Sequence, residues 1–281
     1  MSAGTFRPLD EGRHLPHIAL LALAALIVLA PFLWIAAAAF KTQIALLTGQ
    51  ILFTPVTMNF SEVLFSRSSD YASNFMASVI VASSSTFAVL VVAFLAAYSL
   101  FRLRWPRWIV NAVLVWAMVF QLIPPVALAS AWYEMFRGIG LTDPFVALIL
   151  AHTALHAPVA LWLLSAFLKE FPHELEEAAF VDGASYTVLL SRIVLPLVAP
   201  GVVSAGILVF IFSWNEFPVA LALTSGTNAT VPVAIAKFAQ QNEIKHTQMA
   251  AASVLSALPA LIALILGQRF IVRGLTAGAL K

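Results

Sequence analysis

Residues 74–101 read NFMASVIVASSSTFAVLVVAFLAAYSLF, and this stretch decides the fold class. It contains no charged residue, and a helix needs about 20 predominantly apolar residues to cross the hydrocarbon core of a bilayer. Its apolar residues form one long run rather than the amphipathic stripe of a soluble helix. The stretch therefore predicts a transmembrane α-helix.

Comparable runs extend along the rest of the chain. Five further helices are expected at residues 18–40, 108–133, 144–168, 200–223 and 247–268. The composition agrees, because 62% of the residues are hydrophobic, 10% are charged and the mean hydropathy is +0.96, whereas a soluble domain carries about 25% charged residues. We predict an all-α membrane protein with six transmembrane helices.

The basic residues are divided unequally between the two sides of this topology. The side with both termini has ten of the 15 Lys and Arg residues. They are Arg7, Arg13, Arg102, Arg104, Arg107, Lys169, Arg192, Arg269, Arg273 and Lys281. The other side has Lys41, Arg67, Arg137, Lys237 and Lys245. The positive-inside rule then predicts that the N and C termini are cytoplasmic.

The first run must be weighed against a cleaved signal peptide. Residues 18–40 are longer than the 7–15-residue apolar region of a typical signal, so we expect a retained helix. Cleavage after the alanines at residues 36–39 is the alternative. The chain contains no cysteine, which excludes disulfides and thiolate metal sites. Its net charge of +2, with basic residues scattered singly, does not indicate nucleic-acid binding.

The chain shows no repeat or linker that would divide it into independent domains. We assign residues 1–73 to an N-terminal segment with the first helix and an external loop, 74–270 to the membrane core, and 271–281 to a cytoplasmic tail. Residues 41–73 and 225–246 form long external segments. Each either docks a partner or is a solvated connection.

The most informative internal segment is the loop at about residues 169–196, which contains FPHELEEAAFVDGAS from residue 171. Pro172 suits a first helical position, and the acids that follow it complement the helix dipole. Gly183 supplies a break. We predict a helix, a turn and a second helix. The small apolar face at residues 178–181 favours a protein partner, the alternative being a helix lying on the lipid surface.

This loop resembles the EAA loop of ABC importer permeases, whose pattern is E-A-A, three residues, G, nine residues and I-x-L-P. Every defined position is present, at Glu177, Ala178, Ala179, Gly183, Ile193, Leu195 and Pro196. The chain is also similar to the maltose-type sugar permease subfamily at residues 123–125, 140–143, 213–217 and 268–281. The similarity is clearest from residue 74 onward.

The resemblance implies a type I ABC importer permease fold in a bacterial inner membrane. The EAA loop would be a coupling helix seated on an ATPase subunit, with its motif residues and Phe180 as the coupling residues. Thr276 and Gly278 in the tail would touch the ATPases. The implied partners are a second permease subunit, two ATP-binding subunits, an extracytoplasmic solute-binding protein, membrane lipid and a sugar.

ATP and magnesium would be bound by the partner subunits, because this sequence has no G-x-x-x-x-G-K-[ST] phosphate loop. We therefore expect no cofactor in this chain, no catalytic residue and no enzymatic activity of its own. The resemblance implies uptake of a carbohydrate by alternating access. A permease for glycerol phosphate or a polyamine is the alternative within the importer class.

Polar groups inside the predicted spans are a second candidate site. An acid at mid-bilayer costs about 2.5–3.5 kcal/mol on insertion scales, so Glu216 should face protein or water. Trp214, Asn215 and Glu216 either line the translocation pathway, or Glu216 is a satisfied structural acid. His152 and His156 share one helical face, but no further ligand pair indicates a metal site. A structural pair is favoured.

Prolines at residues 124, 125 and 218 are expected to kink their helices. They either free carbonyl groups to line a cavity or only shape the packing. A secondary transporter is less favoured, because it would more often show internal repeats and several ion-coupling groups. An intramembrane enzyme would need a nucleophile and a base held together, and no serine motif pairs with either histidine.

Overall fold

The computed structural model describes residues 15–67, 69–225, 228–239 and 244–277, except for the side chains of residues 15 and 269–277. In chain order the helices are α1 (Leu15–Ala39), α2 (Gln43–Leu47), α3 (Met58–Phe65), α4 (Tyr71–Arg102), α5 (Arg107–Phe120), α6 (Pro125–Gly138), α7 (Pro144–Glu170), α8 (His173–Val181), α9 (Tyr186–Val188), α10 (Leu195–Trp214), α11 (Pro218–Leu223), α12 (Val231–Ala236) and α13 (His246–Ala277). A π-helical stretch, Leu189–Val194, joins α9 to α10. The predicted all-α class is confirmed.

Five helices in the described part of the chain are long and apolar enough to cross a membrane. They are Pro16–Ala39, Tyr71–Arg102, Pro144–Glu170, Tyr186–Trp214 and His246–Gln268. Helices α5 and α6 meet the same criterion only as a pair, which is bent by 100° at its break and adds a sixth crossing if the pair is one span. The structure therefore has five crossings, or the predicted six when the bent pair is one span, while the cytoplasmic placement of the termini stays a prediction.

Two predicted helices are interrupted in the structure. The run at residues 108–133 was expected to be one kinked helix, but α5 ends before Pro124 and α6 begins at Pro125. Two adjacent prolines remove two backbone donors, and the second keeps the residue before it extended. Likewise the helix expected at residues 200–223 ends at Trp214, and a separate short helix begins at Pro218.

The chain forms two compact units, and the first lies within Met1–Ser66 and Phe238–Leu255. Every side chain of α1 from residue 16 to 35 is exposed, as expected for a helix in contact with lipid. After α1, hydrogen bonds between side chains and backbone carbonyls hold the segment at residues 39–59 together. The Asn59 amide donates to the carbonyls of Ala39 and Lys41, both at 2.8 Å, and the ammonium of Lys41 donates to the Gln50 carbonyl at 2.6 Å.

The same unit joins parts of the two predicted external segments. The Gln43 amide donates to the carbonyl of Ile244 at 2.7 Å and its oxygen accepts from the backbone N–H of Thr247 at 3.3 Å. The Gln248 amide also donates to the Glu62 carboxylate. Residues 240–243 lie outside the described residues.

The second unit, within Arg67–Lys237 and Ser256–Lys281, has α4, α7 and α10 as its centre. Its main apolar core joins these three helices through side chains such as Val89, Ala93, Leu164, Leu168 and Val209. Small residues at helix contacts let backbones approach closely, which is how helices associate in lipid. A second apolar cluster packs α6 and α11 against α7.

Candidate coupling loop and membrane-buried polar cluster

The predicted helix and turn of the EAA loop are present. Helix α8 begins at His173, so Pro172 occupies the position before the helix rather than its first position. The helix ends at Val181, and Gly183 adopts a φ of +81°. The backbone N–H of Gly183 donates to the Phe180 carbonyl at 3.0 Å, and that of Ala184 to the Ala179 carbonyl at 2.9 Å. This pair of bonds is the Schellman arrangement, which ends a helix at a left-handed glycine.

Helix α8 divides the motif residues between two faces. Glu177 and Ala178 are exposed, Phe180 is 41% exposed and Val181 is 87% exposed. Ala179 is buried and belongs to the main apolar core. Only one of the two motif alanines is therefore available to another protein, while the other holds the helix against its own chain.

An arginine at the end of α4 anchors this helix. The Nε atom of Arg102 lies 3.2 Å from a carboxylate oxygen of Glu176, with both side chains buried, although the contact lacks hydrogen-bond alignment. The guanidinium also donates to the Phe171 carbonyl and lies 5.0 Å from the centre of the Phe171 ring. Three contacts from one side chain thus connect the loop to α4 near the end of a membrane span.

The second half of the loop continues directly into α10. The ring of Tyr186 packs edge-on against the ring of Phe180 with centroids 5.1 Å apart, which braces the two arms of the turn. Ile193 is half-buried against the main core. Leu195 and Pro196 are exposed at the start of α10. The I-x-L-P residues therefore lie where the loop enters the membrane helix.

The three predicted pathway residues differ sharply in exposure. Trp214 is 2% exposed, and its indole N–H donates to the Ser256 carbonyl at 3.0 Å. Glu216 is 6% exposed. Asn215 is exposed, and its amide donates to the carbonyl of Ile211 at 2.8 Å, which leaves the side-chain oxygen open. Asn215 is therefore the member of the trio whose side chain is accessible.

Glu216 caps α11 from within the membrane segment. Its two carboxylate oxygens accept the backbone N–H groups of Val219 at 2.8 Å and Ala220 at 2.9 Å. These N–H groups have no partner within the helix, because they lie in its first turn. Two hydrogen bonds to a charged acceptor offset part of the cost of burying the acid.

A chain of polar side chains leads from Glu216 across three helices. The Nε2 atom of His152 lies 3.3 Å from the carboxylate without hydrogen-bond alignment, and its Nδ1 atom lies 2.7 Å from the Ser213 hydroxyl. The Ser213 hydroxyl is 2.9 Å from that of Ser85 on α4. The cluster therefore connects α4, α7 and α10 beside the break before α11.

The second histidine has a different environment. The His156 ring meets the His152 ring edge-on at 5.8 Å and the Phe212 ring at 5.9 Å. Among the described residues, no group of three or more His, Asp or Glu side chains is arranged to hold a metal ion. The histidine pair is surrounded by the packing of neighbouring helices.

The two predicted tail contacts are Thr276 and Gly278. Gly278 lies outside the described residues, as does the side chain of Thr276.

Among the described residues, sequence reasoning missed Arg102, Ser85, Ser213 and Tyr186 as parts of these sites. Ser213 carried a usable signal, since it is a hydroxyl beside Trp214 in an apolar run. Arg102 carried none, because its partner is remote in the sequence.

The chain matches the family model described as "Binding-protein-dependent transport system inner membrane component" over residues 88–277. The chain belongs to this family. It is accordingly a multi-pass protein of the inner membrane.

Two relatives of similar length are named for sugars. The chain is 34% identical to the trehalose transport system permease protein SugB of Mycobacterium tuberculosis, with 90% of this chain and 92% of that protein covered. It is 34% identical to the trehalose/maltose transport system permease protein MalG of Thermococcus litoralis, with coverages of 92% and 94%.

A solved structure shares the fold. A chain of a bacterial ABC transporter involved in the import of the acidic polysaccharide alginate superposes with a TM-score of 0.77. The match covers 95% of this chain and 99% of that chain at 19% identity. The predicted ABC permease fold is therefore confirmed.

Proposed function

We propose that this chain is one of two permease subunits of an ATP-driven importer for a carbohydrate. Its family works with a binding protein, and similar permeases are named for trehalose and for trehalose or maltose. The hydrolytic work belongs to two ATP-binding partner subunits, and an extracytoplasmic binding protein delivers the sugar. The protein has no enzymatic role of its own in this scheme.

One observation carries the coupling part of this proposal, namely the anchored helix α8. Glu177, Ala178 and Val181 form an exposed face that combines a charge with small and branched apolar side chains. Such a face suits a cleft in a partner protein, since apolar contacts give affinity and a charge gives specificity. Val181 joins the predicted coupling residues because it is the most exposed apolar side chain of the helix.

The anchor explains how motion would reach the membrane. When the ATPases close, each coupling helix moves with its ATPase, and Arg102 carries that displacement to the end of α4 through Glu176 and Phe171. Because α4, α7 and α10 share one packed core, they respond as a body rather than separately. Rocking of this body against the second permease would open the pathway alternately to the two sides.

We assign the pathway contact to Asn215 and supporting roles to its neighbours. The open amide oxygen of Asn215 suits a sugar hydroxyl. Trp214 and Glu216 hold the break between α10 and α11 through their own hydrogen bonds. In this arrangement the tail residues Thr276 and Gly278 contact the ATPases, and both termini are cytoplasmic.

Single cysteines provide the direct test, because the chain contains none of its own. Val181→Cys and Phe180→Cys should crosslink to a co-purified ATPase subunit, whereas the exposed Arg137→Cys at the end of α6 should not. Mass spectrometry of the purified assembly identifies the crosslinked partner. Recovery of the chain with no ATPase under either crosslink would contradict the importer assignment.

A further single cysteine, together with Val181→Cys, tests orientation. A membrane-impermeant maleimide added to spheroplasts should label Leu52→Cys, whose native side chain is 92% exposed in the predicted external segment, and should leave Val181→Cys unlabelled until the membrane is opened. The reverse pattern would refute cytoplasmic termini.

Uptake of labelled trehalose, maltose, glycerol phosphate and a polyamine into proteoliposomes of the assembly then tests the substrate class.

A further inference from the structure

A cavity of about 730 Å³ lies beside the proposed coupling helix, and its lining has more basic than acidic side chains. Its wall includes Arg104 from the segment between α4 and α5, Arg107 at the start of α5, and Lys169 from the last turn of α7. Arg102, which also lines the cavity, forms an ion pair with Glu176. Arg104, Arg107 and Lys169 form no ion pair with an acid in the described part of the chain, although Glu177 lines the same cavity.

The cavity is also lined by apolar side chains. Leu100 lies near the end of α4, and Val110 and Leu114 lie along α5. A cavity with cations at the end of the spans and aliphatic side chains along them fits an amphipathic anion. A small soluble anion would leave the aliphatic wall uncovered.

Aromatic side chains mark the level of the membrane surface at this point. Trp105, which lines the cavity, is 47% exposed, and Trp108 is 71% exposed at the start of α5. Tryptophan is enriched where membrane proteins pass through the lipid headgroup region. We therefore expect the three cations at headgroup depth, where basic pockets between helices bind anionic lipid headgroups.

We infer that this cavity binds the phosphodiester headgroup of an anionic phospholipid. Arg104, Arg107 and Lys169 hold the phosphate, and the acyl chains follow Val110 and Leu114. Glu177 and Phe180 also line the cavity, so the bound lipid touches the coupling helix and connects it to the segment between α4 and α5. The inference rests on the proposed function only for the assignment of this side to the cytoplasm.

Binding to the assembled importer tests this site independently of transport. The delipidated complex in neutral detergent is titrated with dioctanoyl phosphatidylglycerol, with dioctanoyl phosphatidylcholine and with inorganic phosphate. We expect saturable binding of phosphatidylglycerol that neither other probe reproduces. Arg104→Gln and Arg107→Gln should each weaken it about fivefold, the effect of one basic side chain near an anionic surface.

Two matched variants separate charge from folding. Arg107→Lys keeps the charge and should retain most of the affinity, while Arg137→Gln removes an exposed charge outside the cavity and should leave binding unchanged. Equal binding of the two lipids, or unchanged binding in both Arg→Gln variants, would overturn the inference. So would inorganic phosphate binding as tightly as the lipid, or lipid binding to the isolated chain that disappears in the assembled complex.

Discussion

The turn at Gly183 provides the sharpest test of the coupling loop. Gly183 has a φ of +81°, and a Cβ atom added there would meet no atom within 4 Å. Substitution is therefore opposed by backbone conformation alone. An L-residue in the left-handed region costs about 1–2 kcal/mol, with a β-branched side chain at the unfavourable end, whereas Asn tolerates it well.

We expect Gly183→Val to lower the population of the native turn by about 5- to 30-fold, the factor that corresponds to 1–2 kcal/mol. The importer is reconstituted in proteoliposomes, and sugar uptake is measured together with ATP hydrolysis. Uptake per ATP should fall by a comparable factor in Gly183→Val and stay within about twofold of the wild type in Gly183→Asn. Membrane levels of both variants should match the wild type.

Two results would refute this reasoning. If Gly183→Val couples as well as the wild type, the turn has no part in transmission. If Gly183→Asn is impaired as strongly as Gly183→Val, the required property is the absence of a side chain at a partner surface rather than the left-handed conformation.

Three further predictions concern the anchor, the exposed face and the pathway. Glu177→Lys should abolish uptake at unchanged membrane level, while Glu177→Gln retains part of it, and equal uptake in both would exclude a charge contact. Arg102→Gln and Glu176→Gln should each lower the free energy of unfolding by about 3 kcal/mol, since each leaves a buried charge without its partner. In thermal unfolding, the variant with Met at both positions should lose less stability than the two single variants together. Glu216→Gln should lower stability by about 1–3 kcal/mol with normal uptake per folded protein, because one backbone N–H loses its acceptor. Asn215→Ala should lower uptake per folded protein and leave stability unchanged. A loss of uptake in Glu216→Gln alone would instead assign the substrate contact to Glu216.

The membrane class, and the helix and turn of the EAA loop, could be predicted from local patterns. An uncharged apolar run of about 20 residues is long enough to cross the bilayer. It crosses as a helix because its backbone groups must be hydrogen-bonded within the segment in lipid. The glycine at position 183 indicated a helix end, and the structure places the left-handed residue there. These features depend on neighbouring residues, so the sequence carries them directly.

Helix breaks were predicted less well for a physical reason. Pro124 and Pro125 indicated a kink, but the 100° bend depends on which contacts the separated helices find. At the interruption after Trp214, Glu216 accepts hydrogen bonds from the first turn of α11. The sequence alone does not distinguish this capping role from a place in an open pathway.

The sequence by itself determined an all-α membrane protein, because hydrophobic run length is a one-dimensional property, and the spacing of the EAA motif carried the resemblance to ABC importer permeases. Only the tertiary structure decided that Ala179 faces inward while Ala178 faces outward, that Arg102 holds Glu176, and that Glu216 lies beside His152. Those relations join residues on different helices. They depend on how the spans pack against one another, which no spacing along the chain records.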